Sequence, residues 1–310
     1  MTLDSQDGLS RRIADWIDDI ASHAEAADAI AAMREAAIPG IRAYLARGPQ
    51  VVPQTRCFAV AMLARMHLPA ATQAMREVLR ANRLHSLSST FAESEYVVKS
   101  GALEALATRA DDALADDVVF GISERLRVAV DIAGRLQFAE VAVQLVDFLD
   151  DDVLAETAMD ALAAMGPKAA AAIAPRLDAW LTEAEFSARR RLAVIRALRV
   201  MHHVHADGTR RTIQHASNDW HPAVRAAGAL LAWPARRDAT TIECLVHGAV
   251  GFDRGLADDC REALTGVGTE LVEPVRGVLR RSSEPGLYGD EQALSSEQHD
   301  WLVRCMDERQ

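Results

Sequence analysis

DWHPAVRAAGALLAW, residues 219–233, is the stretch whose reading decides the fold. Asp219 stands where a helix cap belongs, and Pro222 suits a first helical turn, where its missing N–H would be unsatisfied anyway. Arg225 then points inward, and small and large apolar residues recur at helical spacing. The pattern predicts the inner helix of a helical hairpin. Six more segments fit the same template, so the chain reads as a stack of hairpins rather than a globule around one centre.

Aligned on one late position, the seven inner helices carry Leu63, Leu106, Gly134, Leu162, Leu198, Ala232 and Leu264, at a mean spacing of 33.5 residues. Four residues earlier come Ala59, Ala102, Val130, Ala158, Val194, Gly228 and Cys260, all small or β-branched and none charged. Seven residues before the anchor stand Arg56, Lys99, Arg127, Ala155, Arg191, Arg225 and Ala257, a ladder that is basic in five of seven places. A period of this length belongs to solenoids, in which each unit buries its apolar face only against its neighbours.

This pattern resembles the HEAT and HEAT-like (phycobilin-lyase-type) repeat family, whose inner helix opens with Asp, Pro and Val-Arg before an alanine-rich apolar run. The resemblance covers residues 26–281 and is carried by Asp219, Pro222, Val224 and Arg225, and again by Val98-Lys99 and Leu126-Arg127; Ala257 departs from it. It implies an all-α, right-handed superhelix of about seven hairpins with terminal capping helices, sixteen or seventeen helices in all. It also implies that the ladder residues touch neighbouring repeats and that the second helix of each hairpin lines a concave surface.

Residues 1–48 read as capping helices, a pair over 10–21 and 26–45 with Pro39 kinking or breaking the second. The array follows over 49–281. Its longest spacing, 43 residues, marks an insertion over 81–96, ANRLHSLSSTFAESEY, expected as a loop. SSEPGLYGD opens a linker over 282–294. Residues 295–310 then form a helix with Trp301, Leu302, Cys305 and Met306 on one face, expected to seal the last repeat.

No apolar run is long enough to span a bilayer and the first twenty residues lack the apolar core of a signal peptide, so no membrane association and a cytoplasmic setting are expected. Cys57, Cys244, Cys260 and Cys305 lie far apart without CxxC pairing and read as reduced thiols. Of 34 basic residues only Lys99 and Lys168 are lysines, a bias typical of a GC-rich bacterial genome.

No phosphate-binding, dinucleotide-binding, zinc-protease or nucleophile-elbow motif occurs. The chain has no His-Glu dipeptide, which sets aside the di-iron hydroxylases among HEAT-like proteins. His202, His203, His205, His215 and His221, with Asp207, could approach a zinc or nickel site only if a turn gathered them; a solvated helix end is the expectation. No enzyme activity, cofactor or metal is expected.

Charge carries more. The chain has a net charge of −11, yet residues 186–237 hold ten arginines against Asp207 and Asp219, a local +8 that leaves −19 elsewhere. On the helix over 187–201, Arg189, Arg196, Arg199 and His203 lie away from the arc of Val194, Ala197, Leu198 and Met201. The resemblance would turn that arc of charge into a groove, with Arg125 and Arg135 on one side and Trp233 and Arg237 on the other. A monomeric, non-enzymatic adaptor holding a protein with an acidic patch is the first expectation. A nucleic-acid-binding or alkylated-base glycosylase-like solenoid using Trp220 and Trp233 is the second, less suited to an acidic chain. An immunity-type toxin inhibitor is a special case of the first.

Overall fold

The computed structural model describes residues 3–109, 111–182, 188–206, 210–283 and 294–307. Among these the chain is all-α, without a strand. No described helix is long and apolar enough to cross a membrane. The chain divides into two compact units, Met1–Val141 and Ala142–Gln310.

The first unit holds α1 (Leu3–Asp18), α2 (His23–Met33), α3 (Ile38–Leu45), α4 (Pro53–Arg65), α5 (Pro69–Arg80), α6 (Ser89–Ala107), α7 (Leu114–Ser123) and α8 (Arg127–Arg135). Alternate helices pack on one another: α4 on α6 and α6 on α8 form one layer, while α3 on α5 and α5 on α7 form the other. Proline opens α4 and α5 and lies in the first turn of α3, so it starts helices without removing a needed hydrogen bond. The second N-terminal helix expected over 26–45 is therefore two helices, α2 and α3, joined by a 3-10 turn at Arg34–Ala37 just ahead of Pro39.

The second unit holds α9 (Ala142–Asp147), α10 (Ala155–Met165), α11 (Pro167–Thr182), α12 (Ala188–His203), α13 (Arg210–Ser217), α14 (Pro222–Ala232), α15 (Ala239–Ala249), α16 (Arg254–Ala263), α17 (Val272–Ser283) and α18 (Ser296–Asp307). Here α10, α12, α14 and α16 pack in succession, while α9, α11 and α13 form the opposite layer and α15 packs on α17. The last helix, α18, lies on α17, burying Leu302 and Cys305. Most of the linker expected over 282–294 lies outside the described residues.

All seven late anchors and all seven small residues four positions before them are buried. Small side chains there let neighbouring helices close up. At Gly228 a Cβ would stand 2.6 Å from the Cβ of Ala216, so α13 and α14 touch almost backbone to backbone.

The insertion over 81–96 is only partly a loop, because Ser89–Tyr96 adds two turns to the start of α6. That extension carries Glu95 into the core, where it accepts from Nη1 of Arg56 and, at 3.1 Å, from Nη2. The remaining loop is pinned from α7: Glu124 accepts from Arg83 Nη1 at 2.7 Å and from the Leu84 N–H at 2.9 Å. Its polar sequence reads as slack, but long-range carboxylates order it.

Candidate functional site

The arginine-rich helix α12 buries Val194, Ala197, Leu198 and Met201 as its periodicity requires. Its basic side chains are largely spoken for within the second unit. Arg189 Nε donates to the carbonyl of Asp150 and lies 3.2 Å from that residue's carboxylate, while Arg196 Nη1 donates to the Leu149 carbonyl at 2.9 Å. Both acceptors belong to the 3-10 turn Phe148–Asp150, whose terminal carbonyls have no partner inside their own element. Cations close that end and oppose its negative dipole.

Arg199 goes further inward. Its side chain is only 11% exposed, and its Nε donates to Asp259 on α16 at 2.6 Å. His203 Nε2 lies 3.1 Å from the same carboxylate. The hydrogen bond to Asp259 holds His203 above the usual imidazole value. Burial alone would raise Asp259, but the bonds from His203 and Arg199 outweigh it and hold the carboxyl low. A buried guanidinium is tolerable only with such a partner. The arc of charge is thus an internal clamp between α12 and α16 at its C-terminal end, with Arg189, 58% exposed in its side chain, left at the surface.

Arg125 and Arg135 belong to the first unit. Arg125 is exposed in a left-handed turn (φ 59°) before α8, and Arg135 lies 4.0 Å from Asp131 one turn back. Trp233 is only 7% exposed, so it fills the core instead of offering a stacking face, and Arg237 covers its ring at 5.1 Å. Trp220 has the opposite fate: 70% exposed, it carries the Arg191 guanidinium 4.9 Å from its ring centre and meets His221 edge-on.

The ladder residues differ in burial, within the first unit as well as between the two. Arg56 and Lys99 are fully buried; the Lys99 Nζ donates to the Leu79 carbonyl at the end of α5, 2.6 Å away, and lies 3.6 Å from Glu124. Desolvation lowers the Lys99 pKa against the pull of Glu124 and Glu95. Arg127 is exposed, and Ala155 and Ala257 are buried without charge. Arg225 Nη1 donates to the carbonyls of Asp219 and Trp220, at 2.9 and 2.8 Å. Asp219 differs from the expected helix cap: its carboxylate accepts the His221 N–H at 2.7 Å, one turn ahead of α14, and His221 occupies the cap.

The histidines diverge. His202 and His203 meet edge-on with ring centres 5.8 Å apart, and burial lowers His202 while Asp259 raises His203. Asp207 lies outside the described residues, as does Phe186 at the start of the basic stretch. Among the described residues no three His, Cys, Asp or Glu side chains gather as a metal site. Burial raises the thiols of Cys57, Cys244 and Cys260.

Sequence reasoning missed Asp150, Asp259 and Phe252. The first two are far along the chain from their partners. The third, 78% exposed, sits at a repeat register that the core pattern does not constrain. No protein-family model, curated protein or solved structure matches the chain.

Proposed function

We propose that the chain is a helical-repeat adaptor, an α-solenoid that holds another protein through side chains presented at equivalent places on successive hairpins. The observation that carries this reading is the packing of α10, α12, α14 and α16 in succession with one register of small residues buried throughout. Such a stack repeats its outward positions at nearly constant intervals, which suits an extended protein surface better than a small molecule. Basic groups at the surface favour an acidic partner, and the overall charge of −11 disfavours long nucleic-acid tracts.

The internal pairing of Arg196 and Arg199 changes which residues test the idea. Affinity capture from the native host, with nuclease treatment in parallel, should return one stoichiometric protein that survives nuclease. Reversing the exposed Arg189 and Arg237 of the second unit to glutamate should weaken that capture and leave the melting temperature nearly unchanged. Loss of every partner on nuclease treatment would move the reading to a nucleic-acid binder.

A further inference from the structure

The loops that lead into α14 and α16 each expose an aromatic ring at the same place in the repeat. Trp220 and Phe252 are 70% and 78% exposed, and each stands twelve residues before its anchor, Ala232 and Leu264. Single exposed apolar residues are ordinary, but two held at one register of adjacent repeats are a pattern that core packing does not require. Because α14 and α16 pack directly on each other, the two loops enter neighbouring helices along one edge of the second unit. Packed helices lie about 8–10 Å apart, which sets the scale on which the two loops are spaced. Phe186 holds the same register one repeat earlier but lies outside the described residues, and the site is built from Trp220 and Phe252 alone.

Both loops are braced. Asp219 and Arg225 tie down the backbone around Trp220 through the bonds given above. Around Phe252, the Asp253 carboxylate accepts the Leu256 N–H at 2.8 Å and Gly251 N donates to the Gly248 carbonyl at 2.9 Å. The loops are already ordered, so binding there avoids the entropy of ordering them. Arg191 over Trp220 and the exposed Arg254, two residues after Phe252, add positive charge, while Arg225 on the Asp219 carbonyl and Arg199, 3.9 Å from Asp253, set cations against the two loop aspartates.

We propose that this loop edge docks an extended acidic segment of a protein partner, with apolar side chains about three residues apart covering Trp220 and Phe252. That spacing follows from helices about 8–10 Å apart read by a chain rising about 3.3 Å per residue. Carboxylates between the apolar anchors would meet Arg191 and Arg254. The inference rests on the adaptor reading and gives it a site.

A fluorescein-labelled peptide of about fifteen residues, repeating valine, glutamate and aspartate, tests it by anisotropy at low salt. Trp220→Ala combined with Phe252→Ala should weaken binding by at least about tenfold, a loss typical of aromatic anchors, and Arg191→Gln by less. The melting temperature of the double variant should hold, because neither ring is in the core. The proposal is overturned if the wild type does not bind the peptide at millimolar concentration, if the double variant binds it equally well, or if a thymidine oligonucleotide of equal length binds the same residues more tightly. Host capture separates the two readings. Equal recovery of one protein by wild type and double variant removes this edge but keeps the adaptor, whereas no protein recovered by the wild type removes both.

Discussion

The two units bury charge to different extents. In the first, Arg56, Glu95, Lys99, Asp117 and Glu124 are all buried, and Asp117 alone accepts from both Arg76 and Arg80. In the second, Asp151 is the charged residue buried outright among those described, the Arg199–Asp259 pair is nearly so, and the ladder arginines Arg191 and Arg225 keep partial exposure, one lying over a tryptophan ring and the other on backbone carbonyls. The same repeat position thus holds a buried cation at Arg56 and Lys99 of the first unit, an exposed one at Arg127, and a surface brace at Arg191 and Arg225 of the second. Interior charge demands its partner, which makes the first unit intolerant of change. Exposed aromatic rings occur in both, Phe91 at 40% in the first and Trp220 and Phe252 at 70% and 78% in the second.

The largest test of this contrast is Glu95→Ala, which leaves Arg56 buried without its counter-charge and should cost about 3–5 kcal/mol in urea denaturation. The matching deletion in the second unit, Asp150→Ala opposite the exposed Arg189, should cost under about 1 kcal/mol. Equal costs would erase the distinction.

Glycines sharpen it at the next level. Gly228→Ala in the second unit forces a methyl group to within 2.6 Å of Ala216 and should destabilise by about 1–3 kcal/mol. Gly101→Ala, within α6 of the first unit and with nothing inside 4 Å of the new Cβ, should instead stabilise by about 0.4–1 kcal/mol by stiffening the unfolded chain. Thermal denaturation of the two variants should show shifts of opposite sign.

The smallest effect is one of pH. His203 has a raised folded pKa, so its contribution is fully present below the unfolded value of about 6.5 and is lost as pH rises through the folded value. Asp259 is lowered, so its share is present above about pH 4 and is lost as pH falls through its folded value. Their pairing should stabilise most between about pH 4 and 6.5. With His203 partly exposed, the histidine share should stay below about 1 kcal/mol. An NMR titration should show the imidazole pKa of His203 falling in Asp259→Asn; an unchanged value would mean that the clamp does not exist in solution.

The repeat register was legible because it is local. A small residue four places before a large apolar one, repeated seven times, needs only the 3.6-residue period to be read as a buried helix face, and every such position is buried. Pro222 likewise announced a helix start and Pro39 a break that falls just before α3, because the constraint that proline imposes acts on its own backbone. The site was less legible. Arg189, Arg196, Arg199 and His203 do lie off the buried arc of α12, as the helix period dictates, but what they meet there could not be read from that helix.

What the sequence determined by itself, then, was the all-helical class and the register of the buried positions along its helices, since each depends on side chains within a few turns of one another. The tertiary structure alone decided which charges are paired and which aromatics are free. Arg56 finds Glu95 across 39 residues and Arg199 finds Asp259 across 60, and no period links such partners. Trp220 and Trp233 flank the same helix, yet one is exposed and the other buried. Their fates differ because burial is set by which neighbouring helix arrives to cover a ring, and that is a property of the packed stack.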